Sequence, residues 1–257
     1  MRILLVNDDG VYAKGLWALA RALKDKAQLI VVAPDREQSG MGTAITLHLP
    51  VRLIAVPPIV EGIDCYAVEG TPADSVILAL RHVLKDGVDL LISGINNGPN
   101  LGNDVYVSGT VGAAFQGYFY RVPVVALSVA AMEDVHFDVA AKLAALLVDR
   151  VIHGSLPSPF FLNINVPNQP LEEITGIEVT RLGQRSYADD VQEGHDGRRK
   201  YYWIVRGRPE WDPQPGTDIW AVRQQKVSIT PLGPPSETLF PQLEELAPSL
   251  FHALSSS

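Results

Sequence analysis

Short apolar runs alternate with amphipathic segments along the first two thirds of the chain. Each run is bounded by glycine, proline or polar positions, which is the pattern of buried strands. The predicted strands cover residues 3–6, 29–33, 88–93, 122–128 and 160–166. Because the runs do not alternate between apolar and polar positions, both faces of the sheet should be covered. This favours parallel strands between two layers of helices.

Helical periodicity and capping residues fill the intervals between these strands. Thr71 and Asp74 have the spacing of a capping box, and Pro72 suits the first position of a helix. Asp138 is predicted to cap a later helix. The predicted helices cover residues 16–23, 72–84, 110–118, 139–150 and 239–254.

Two segments depart from this alternation. Residues 44–49 and 51–56 alternate in polarity around Pro50, which predicts a two-stranded excursion from the main sheet. The second departure follows residue 167, where residues 181–200 are polar and charged. Shorter β-like runs then cover residues 201–205 and 227–229.

The predicted fold class is therefore α/β. We expect a Rossmann-like three-layer α/β/α core with a mainly parallel sheet over residues 1–170. Residues 171–257 are predicted to form a smaller C-terminal extension, with a β-rich arm and a terminal helix, used in oligomerisation.

Composition narrows the class of protein. The 257 residues are 47% hydrophobic and 19% charged, as in a soluble compact protein, and no stretch is long and apolar enough for a membrane span. The single cysteine, Cys65, excludes an internal disulfide and fits a cytoplasmic setting, where we expect it to be a buried strand residue. A net charge of −8 argues against a nucleic acid duplex as partner.

Candidate chemistry lies where the predicted strands end. Asp8 and Asp9 follow the first strand, Ser39 lies in the loop after the second, and Asn96 follows the strand over 88–93. Ligands bind beyond the carboxyl ends of strands in open parallel sheets, so these side chains should converge. Carboxylate, hydroxyl and carboxamide oxygens suit Mg²⁺ or Mn²⁺. The alternative is that Asp-Asp-Gly is only a turn.

A second candidate is the segment Ser108-Gly109-Thr110, which precedes a helix of small residues. Backbone N–H groups at a helix start, two hydroxyls and a glycine suit an oxyanion such as phosphate. The alternative is an ordinary N-cap. The six histidines lack the spacing of a zinc helix, and the chain has no nucleophile elbow, Walker loop or dinucleotide fingerprint.

Taken together, these motifs resemble the stationary-phase survival protein SurE family of nucleotidases. The matching runs follow one another through nearly the whole chain, and the run around Asn96 is long and unusual. They are residues 2–10 (RILLVNDDG), 32–40 (VAPDREQSG), 70–74 (GTPAD), 93–102 (SGINNGPNLG), 108–111 (SGTV), 162–167 (LNINVP), 216–218 (GTD) and 227–232 (VSITPL).

The resemblance implies a divalent-metal-dependent removal of phosphate from nucleoside 5′- or 3′-monophosphates. It implies Asp8, Asp9, Ser39 and Asn96 as metal ligands, with Asn96 also near the phosphate. Ser108, Gly109 and Thr110 would cradle the phosphate.

Either Asp8 or Asp9 could also act as a base, and the sequence does not separate these two roles. The resemblance further implies a homodimer or homotetramer in which the segment after residue 232 is exchanged between subunits. The match is looser over residues 185–215, so no arm residue is assigned to substrate binding.

Two rival functions remain at this point. A phosphatase of the haloacid dehalogenase type would use an aspartate nucleophile, but such enzymes carry two carboxylates separated by one residue, whereas Asp8 and Asp9 are adjacent. A metal or nucleotide sensor without turnover would also suit an oligomerising arm. The preferred base, the 5′ or 3′ position, the native metal and activity on short polyphosphate are open.

Overall fold

A nine-stranded, mostly parallel sheet runs through the centre of the molecule. The computed structural model describes residues 1–186, 189–206, 210–233 and 239–256. Its strands are β1 (Arg2–Val6), β2 (Gln28–Pro34), β3 (Leu53–Ala55), β4 (Asp64–Val68), β5 (Leu90–Asn97), β6 (Val124–Ala130), β7 (Phe161–Pro167), β8 (Gly176–Val179), β9 (Gln184–Ser186), β10 (Asp189–His195), β11 (Lys200–Arg206), β12 (Glu210–Asp212) and β13 (Lys226–Pro231).

Helices connect the strands and cover the sheet. They are α1 (Lys14–Leu23), α2 (Pro72–Leu78), α3 (Gly109–Phe119), α4 (Asp138–Ile152), α5 (Asp218–Arg223) and α6 (Leu239–Ser255). A π-helical turn, Ala79–Val83, extends α2, and 3-10 turns occupy Gly102–Tyr106 and Leu171–Glu173. Among the described residues, none of these helices combines the length and the apolar character of a membrane span.

The strand order is β3-β4-β2-β1-β5-β6-β7-β13-β8. The pairs among β4, β2, β1, β5, β6 and β7 are parallel. β3 pairs antiparallel with β4, and β13 pairs antiparallel with β7 and parallel with β8. The parallel strands therefore end at one common edge, and the loops that leave this edge carry the candidate site.

Both faces of the sheet are buried, as the uninterrupted apolar runs predict. In β1, Ile3 and Leu5 pack into one apolar cluster with α1, α4 and α6, whereas Leu4 and Val6 pack into a second with α2 and α3. All four side chains are 0% exposed. The predicted α/β class with three layers is confirmed, and Cys65 is a buried residue of β4 as expected.

Of the two strands predicted over residues 44–49 and 51–56, only the second is present, as β3. β3 pairs antiparallel with β4 rather than with residues 44–49, which form no strand. The reason lies in the cap of α2, where Asp74 accepts hydrogen bonds from the backbone N–H and the hydroxyl of Thr46 at 2.9 and 2.6 Å. These bonds bind the segment to the helix cap instead of to a partner strand.

Two helix starts were predicted from side-chain caps, with different outcomes. The capping box of Thr71 and Asp74 is present, with Pro72 at the start of α2. The predicted cap by Asp138 is wrong, because Phe137 occupies the cap position without a side-chain hydrogen bond. Asp138 lies in the first turn of α4, where its negative charge faces the positive end of the helix.

The chain after residue 170 adds to the same sheet and also forms a separate ribbon. β8 and β13 extend the sheet, while β10 and β11 form an antiparallel hairpin. The segment expected to be exchanged between subunits follows residue 232, and residues 234–238 near its start lie outside the described residues. The division at residue 170 and the exchange stay predictions.

Candidate active site

Asp8 and Asp9 leave the carboxyl end of β1 at the edge where the parallel strands end. The side-chain amide of Asn7 donates to the carbonyl of Gly10 at 2.9 Å, which closes the turn behind them. The backbone N–H of Gln38 donates to the carbonyl of Asp8 at 2.7 Å. The loops after β1 and β2 are therefore joined at the backbone of Asp8.

Asp8 is held against the start of α3. Its side chain is 4% exposed and accepts a hydrogen bond from the hydroxyl of Thr110. A Cβ on Gly109 would lie 2.8 Å from Cβ and Oδ2 of Asp8, so only glycine permits this approach. The positive end of α3 therefore faces a carboxylate of the same chain.

Asp9 lies beside Asp8 and faces a cleft. Its Oδ2 accepts the backbone N–H of Asn97 at 3.2 Å, which connects the end of β1 to the end of β5. The cleft has a volume of about 740 Å³ and is lined at this end by Asp9, Glu37, Ser39 and Asn97.

The structure also brings Ser39 and Asn96 to this edge. The Ser39 hydroxyl donates to Oε1 of Glu37 at 2.8 Å. Because only its hydrogen is used in this bond, the lone pairs of the Ser39 oxygen remain available to a cation. Asn96 belongs to the last residues of β5 rather than to the loop expected after residue 93. The strand continues to Asn97, past a register shift between Ser93 and Asn96. The side-chain amide of Asn96 donates to the carbonyl of Gly98 at 2.8 Å.

Burial makes the negative charges of Asp8 and Asp9 energetically unfavourable. Desolvation raises the pKa of Asp8, and the hydrogen bond from Thr110 only partly offsets it. Desolvation and then the Asp8 charge raise the pKa of Asp9 to about 7. A cation between the two carboxylates would remove this repulsion and favour both charged forms.

The donor chemistry fits a hard divalent cation. Two carboxylates, a hydroxyl and a carboxamide oxygen are available at one edge, as Mg²⁺ and Mn²⁺ prefer. Among the described residues, no group of three or more His, Cys, Asp or Glu is placed to hold a metal. A cation here would therefore depend on neutral oxygens beside Asp8 and Asp9.

Ser108, Gly109 and Thr110 form the N-terminus of α3. Ser108 is the N-cap, and its Oγ accepts the N–H of Val111 at 3.1 Å. Ser108 therefore acts as an ordinary N-cap, the alternative that the sequence left open. Because its oxygen accepts in this bond, the hydroxyl hydrogen of Ser108 is not used by it. Thr110 donates its hydroxyl to Asp8, so the predicted phosphate cradle and the predicted metal ligands are in direct contact.

Comparison with known proteins gives the family. A family model described as "Survival protein SurE" matches residues 3–189, which is more than half of the chain. The chain belongs to the SurE family. The resemblance drawn from the motifs is thereby confirmed.

Relatives of the SurE family match over nearly the full length. A "5'-nucleotidase SurE" of Dehalococcoides mccartyi is 46% identical over 244 residues, covering 94% of this chain and 91% of the relative. One of Vibrio cholerae is 47% identical over 234 residues, covering 90% and 91%. The crystal structure of the SurE protein from Aquifex aeolicus matches with a TM-score of 0.75 and 40% identity, covering 90% of this chain and 93% of that one.

The SurE motif around Asn100 has a positioning function that sequence reasoning missed. The N–H of Asn100 donates to Oδ1 of Asn165 at 2.8 Å, and its carbonyl accepts from the amides of Asn163 and Asn165 at 2.8 and 3.0 Å. Its own side chain donates to Ser128 at 2.8 Å. This buried network fixes the loop between β5 and α3. The available signal was polar residues inside the apolar strand β7.

Asp218 is a second positioning residue that was missed. It is 0% exposed and accepts three backbone N–H groups, from Gly102, Gly183 and Ile219, at 2.7–2.8 Å. Burial raises the pKa of Asp218, although these hydrogen bonds act in the opposite direction. The carboxylate joins the C-terminal region to the loop that leads into α3.

Proposed function

We propose that this protein is a divalent-metal-dependent phosphomonoesterase that hydrolyses nucleoside 5′-monophosphates to nucleoside and phosphate, with 3′-monophosphates as further substrates. The observation that carries the proposal is the adjacent pair of buried Asp8 and half-buried Asp9, with raised pKa values, beside a cleft at the carboxyl edge of a parallel sheet. The relatives named 5'-nucleotidase SurE support the substrate class.

Asp8, Asp9, Ser39 and Asn96 would hold the cation, which we propose to be Mg²⁺ or Mn²⁺. The fit is supported by the oxygen donors and by the unfavourable charge of the two carboxylates. When bound, the ion supplies positive charge that offsets the charge of the phosphate and favours deprotonation of a water molecule.

The chain's own residues orient the reacting groups. Thr110 fixes Asp8, and the N–H of Asn97 fixes Asp9, so neither carboxylate rotates freely. Ser108, Gly109 and Thr110 place the positive end of α3 at the site, where N–H groups stabilise negative charge that develops on phosphate oxygens.

The contacts also suggest different functions for the two carboxylates. Asp8 is bound by Thr110 and almost fully buried, so it is suited to holding the ion. Asp9 lines the cleft, where its carboxyl group could accept a proton from the attacking water or, when protonated, donate one to the leaving oxygen. We therefore assign the proton-transfer function to Asp9.

Oligomerisation through the C-terminal extension belongs to the same proposal. Tyr201, Tyr202, Trp203 and Ile204 on β11 are between 45% and 80% exposed, so both faces of this strand carry apolar side chains that a second copy of the chain could cover. We propose a homodimer or homotetramer located in the cytoplasm, with a nucleoside monophosphate as substrate and with neither membrane nor nucleic acid duplex as partner.

A substrate panel tests the proposed function. Nucleoside 5′- and 3′-monophosphates are incubated with Mg²⁺, Mn²⁺ or EDTA, and released phosphate is measured. Phosphate release that requires metal supports the proposal. Tight nucleotide binding without release would indicate a sensor, and a beryllofluoride adduct on Asp8 or Asp9 would indicate an aspartyl-phosphate mechanism.

The raised pKa of Asp9 predicts a pH-dependent stability of the metal-free protein. Its ordinary value is 3.8 and its value in the folded protein is about 7, so the folded state binds a proton that the unfolded state releases between these pH values. The stability that this proton provides is complete below pH 3.8 and is lost as the pH rises through about 7.

The comparison of wild type with Asp9→Asn isolates this contribution. In EDTA, the melting temperature of the variant should exceed that of wild type by an amount that grows between pH 3.8 and about 7 and levels off above this range. The shift corresponds to about 4 kcal/mol in full, and solvent screening at half-buried Asp9 reduces it, so we expect about 2 kcal/mol at pH 8, or roughly 4–8 °C. Mn²⁺ should reverse the sign by stabilising wild type alone. Asp64→Asn, at the opposite edge of the sheet, is the control. A difference that does not change with pH contradicts the prediction.

A further inference from the structure

The cleft beside Asp9 contains two of the proposed metal ligands, Asp9 and Ser39, and continues away from them. Its volume of about 740 Å³ lies in the range of pockets that enclose a whole small molecule. Beyond Asp9 and Ser39, it is lined by the start of α1 and by Met132 and residues 134–137 of the loop between β6 and α4. A substrate held at the metal end would extend along this loop.

Met132 lines the cleft next to the segment that follows β5. Its Sδ is 2.8 Å from the position that a Cβ on Gly98 would occupy, so the side chain lies across Gly98. The carbonyl of Gly98 in turn accepts the side-chain amide of Asn96, a proposed metal ligand. Met132 is 70% exposed, so its thioether is available to a ligand.

Phe137 and His136 continue the same side of the cleft. Cε1 of Phe137 is 3.0 Å from the position that a Cβ on Gly15 would occupy, so the ring packs across the start of α1. The ring is half-buried, whereas His136 is exposed. Together with Met132 they present a thioether, an imidazole and a phenyl ring on one side of an otherwise polar cleft.

We propose that Met132, His136 and Phe137 form a nucleoside wall, which binds the base of the substrate and determines the preference for nucleotides over phosphate esters without a base. This inference rests on the proposed nucleotidase function and adds the residues that recognise the nucleoside. A nucleobase has flat, polarisable faces, which pack favourably on aromatic rings and on sulfur.

Asn168 is the positioning residue of the nucleoside wall. Its Oδ1 accepts the backbone N–H of His136 at 2.9 Å, and its Nδ2 donates to the carbonyl of Asp134 at 3.1 Å. Asp134 has a φ of +47°, so the loop turns sharply at the point where Asn168 holds it. The end of β7 thereby fixes the wall relative to the sheet.

The test compares AMP with ribose 5-phosphate, which has the same phosphate and leaving oxygen but no base. In the double variant Met132→Ala/His136→Ala, the ratio of kcat/KM for AMP to that for ribose 5-phosphate should fall about tenfold. The AMP value falls because the base loses its contacts, and the ribose 5-phosphate value falls far less. The matched control is Ile59→Ala/His82→Ala, which replaces exposed residues at the opposite edge of the sheet and should keep the wild-type ratio.

Adenosine binding to the metal-free protein gives a readout that needs no turnover. By calorimetry, the dissociation constant should rise about tenfold in the double variant. An unchanged ratio and unchanged adenosine binding would overturn the nucleoside wall while leaving the phosphatase function intact. Weakened adenosine binding in a protein that releases no phosphate from AMP would support the wall and refute the proposed function.

Variants of Asn168 test the positioning. Asn168→Ala should raise KM for AMP about threefold to tenfold while kcat stays near wild type, because the loop moves and the metal end does not. Asn168→Asp keeps the acceptor for the N–H of His136 and should recover part of the loss. A fall in kcat without a change in KM, or no recovery by Asn168→Asp, would contradict positioning by Asn168.

Discussion

Replacing Asp8 or Asp9 by asparagine is expected to lower kcat/KM for AMP by at least about 1,000-fold, because each substitution removes one of the two charges that hold the cation. Asparagine has nearly the same size as aspartate. Because the negative charges of Asp8 and Asp9 are themselves unfavourable in the folded protein, neither variant should unfold. Steady-state kinetics of phosphate release, with metal varied at saturating AMP, measure the effect.

The two variants should differ in how excess metal affects them. Asp8→Asn keeps the contact with Thr110 but loses a proposed ligand, so a higher Mn²⁺ concentration should recover part of its activity. Asp9→Asn also loses the proposed proton-transfer group, so saturating Mn²⁺ should recover little. Asp64→Asn controls for loss of an acidic residue outside the site. Wild-type turnover in Asp9→Asn would refute both functions of this residue.

A single methyl group on Gly109 is expected to lower kcat/KM about 100-fold or more. The added Cβ would lie 2.8 Å from Cβ and Oδ2 of Asp8, closer than non-bonded carbon atoms approach. Asp8 is nearly buried and bound to Thr110, so it cannot move aside without losing its position. Alanine itself favours the helix by about 1 kcal/mol relative to glycine, so α3 should persist.

Gly176→Ala is the matched control for this substitution. In β8 the nearest atom to an added Cβ is Cγ of Lys226 at 3.9 Å, which is ordinary contact. Kinetics, Mn²⁺ titration and thermal unfolding of both variants separate loss of function from loss of fold. If Gly109→Ala binds Mn²⁺ and turns over AMP like wild type, α3 does not pack on a functional Asp8.

The sheet was predictable because its physical cause is local. β1 and most of β2 are continuous apolar runs that need cover on both faces, and the capping box of Thr71 and Asp74 marks a helix start without tertiary context. Residues 44–49 show the limit of such patterns. Their alternation suits a strand, but hydrogen bonds from Thr46 to Asp74 decide their conformation, and that contact spans 28 positions in sequence.

The site was predictable only in part for the same reason. Strand ends placed Asp8, Asp9 and Ser39 at one edge because parallel strands share that edge. The contact between Thr110 and Asp8 spans 102 positions, and no local pattern indicates it. The nucleoside wall was missed altogether, because exposed Met132 and His136 in a loop have no periodicity.

Titration of the metal-free protein with Mn²⁺ tests the central claim most directly. Bound ion is followed by electron paramagnetic resonance, and phosphate release from AMP is measured in the same samples. We predict one site per chain, turnover that rises in proportion to its occupancy, and loss of both in Asp9→Asn. Full turnover in EDTA, or wild-type Mn²⁺ binding by Asp9→Asn, would contradict a metal-dependent phosphatase built on Asp8 and Asp9.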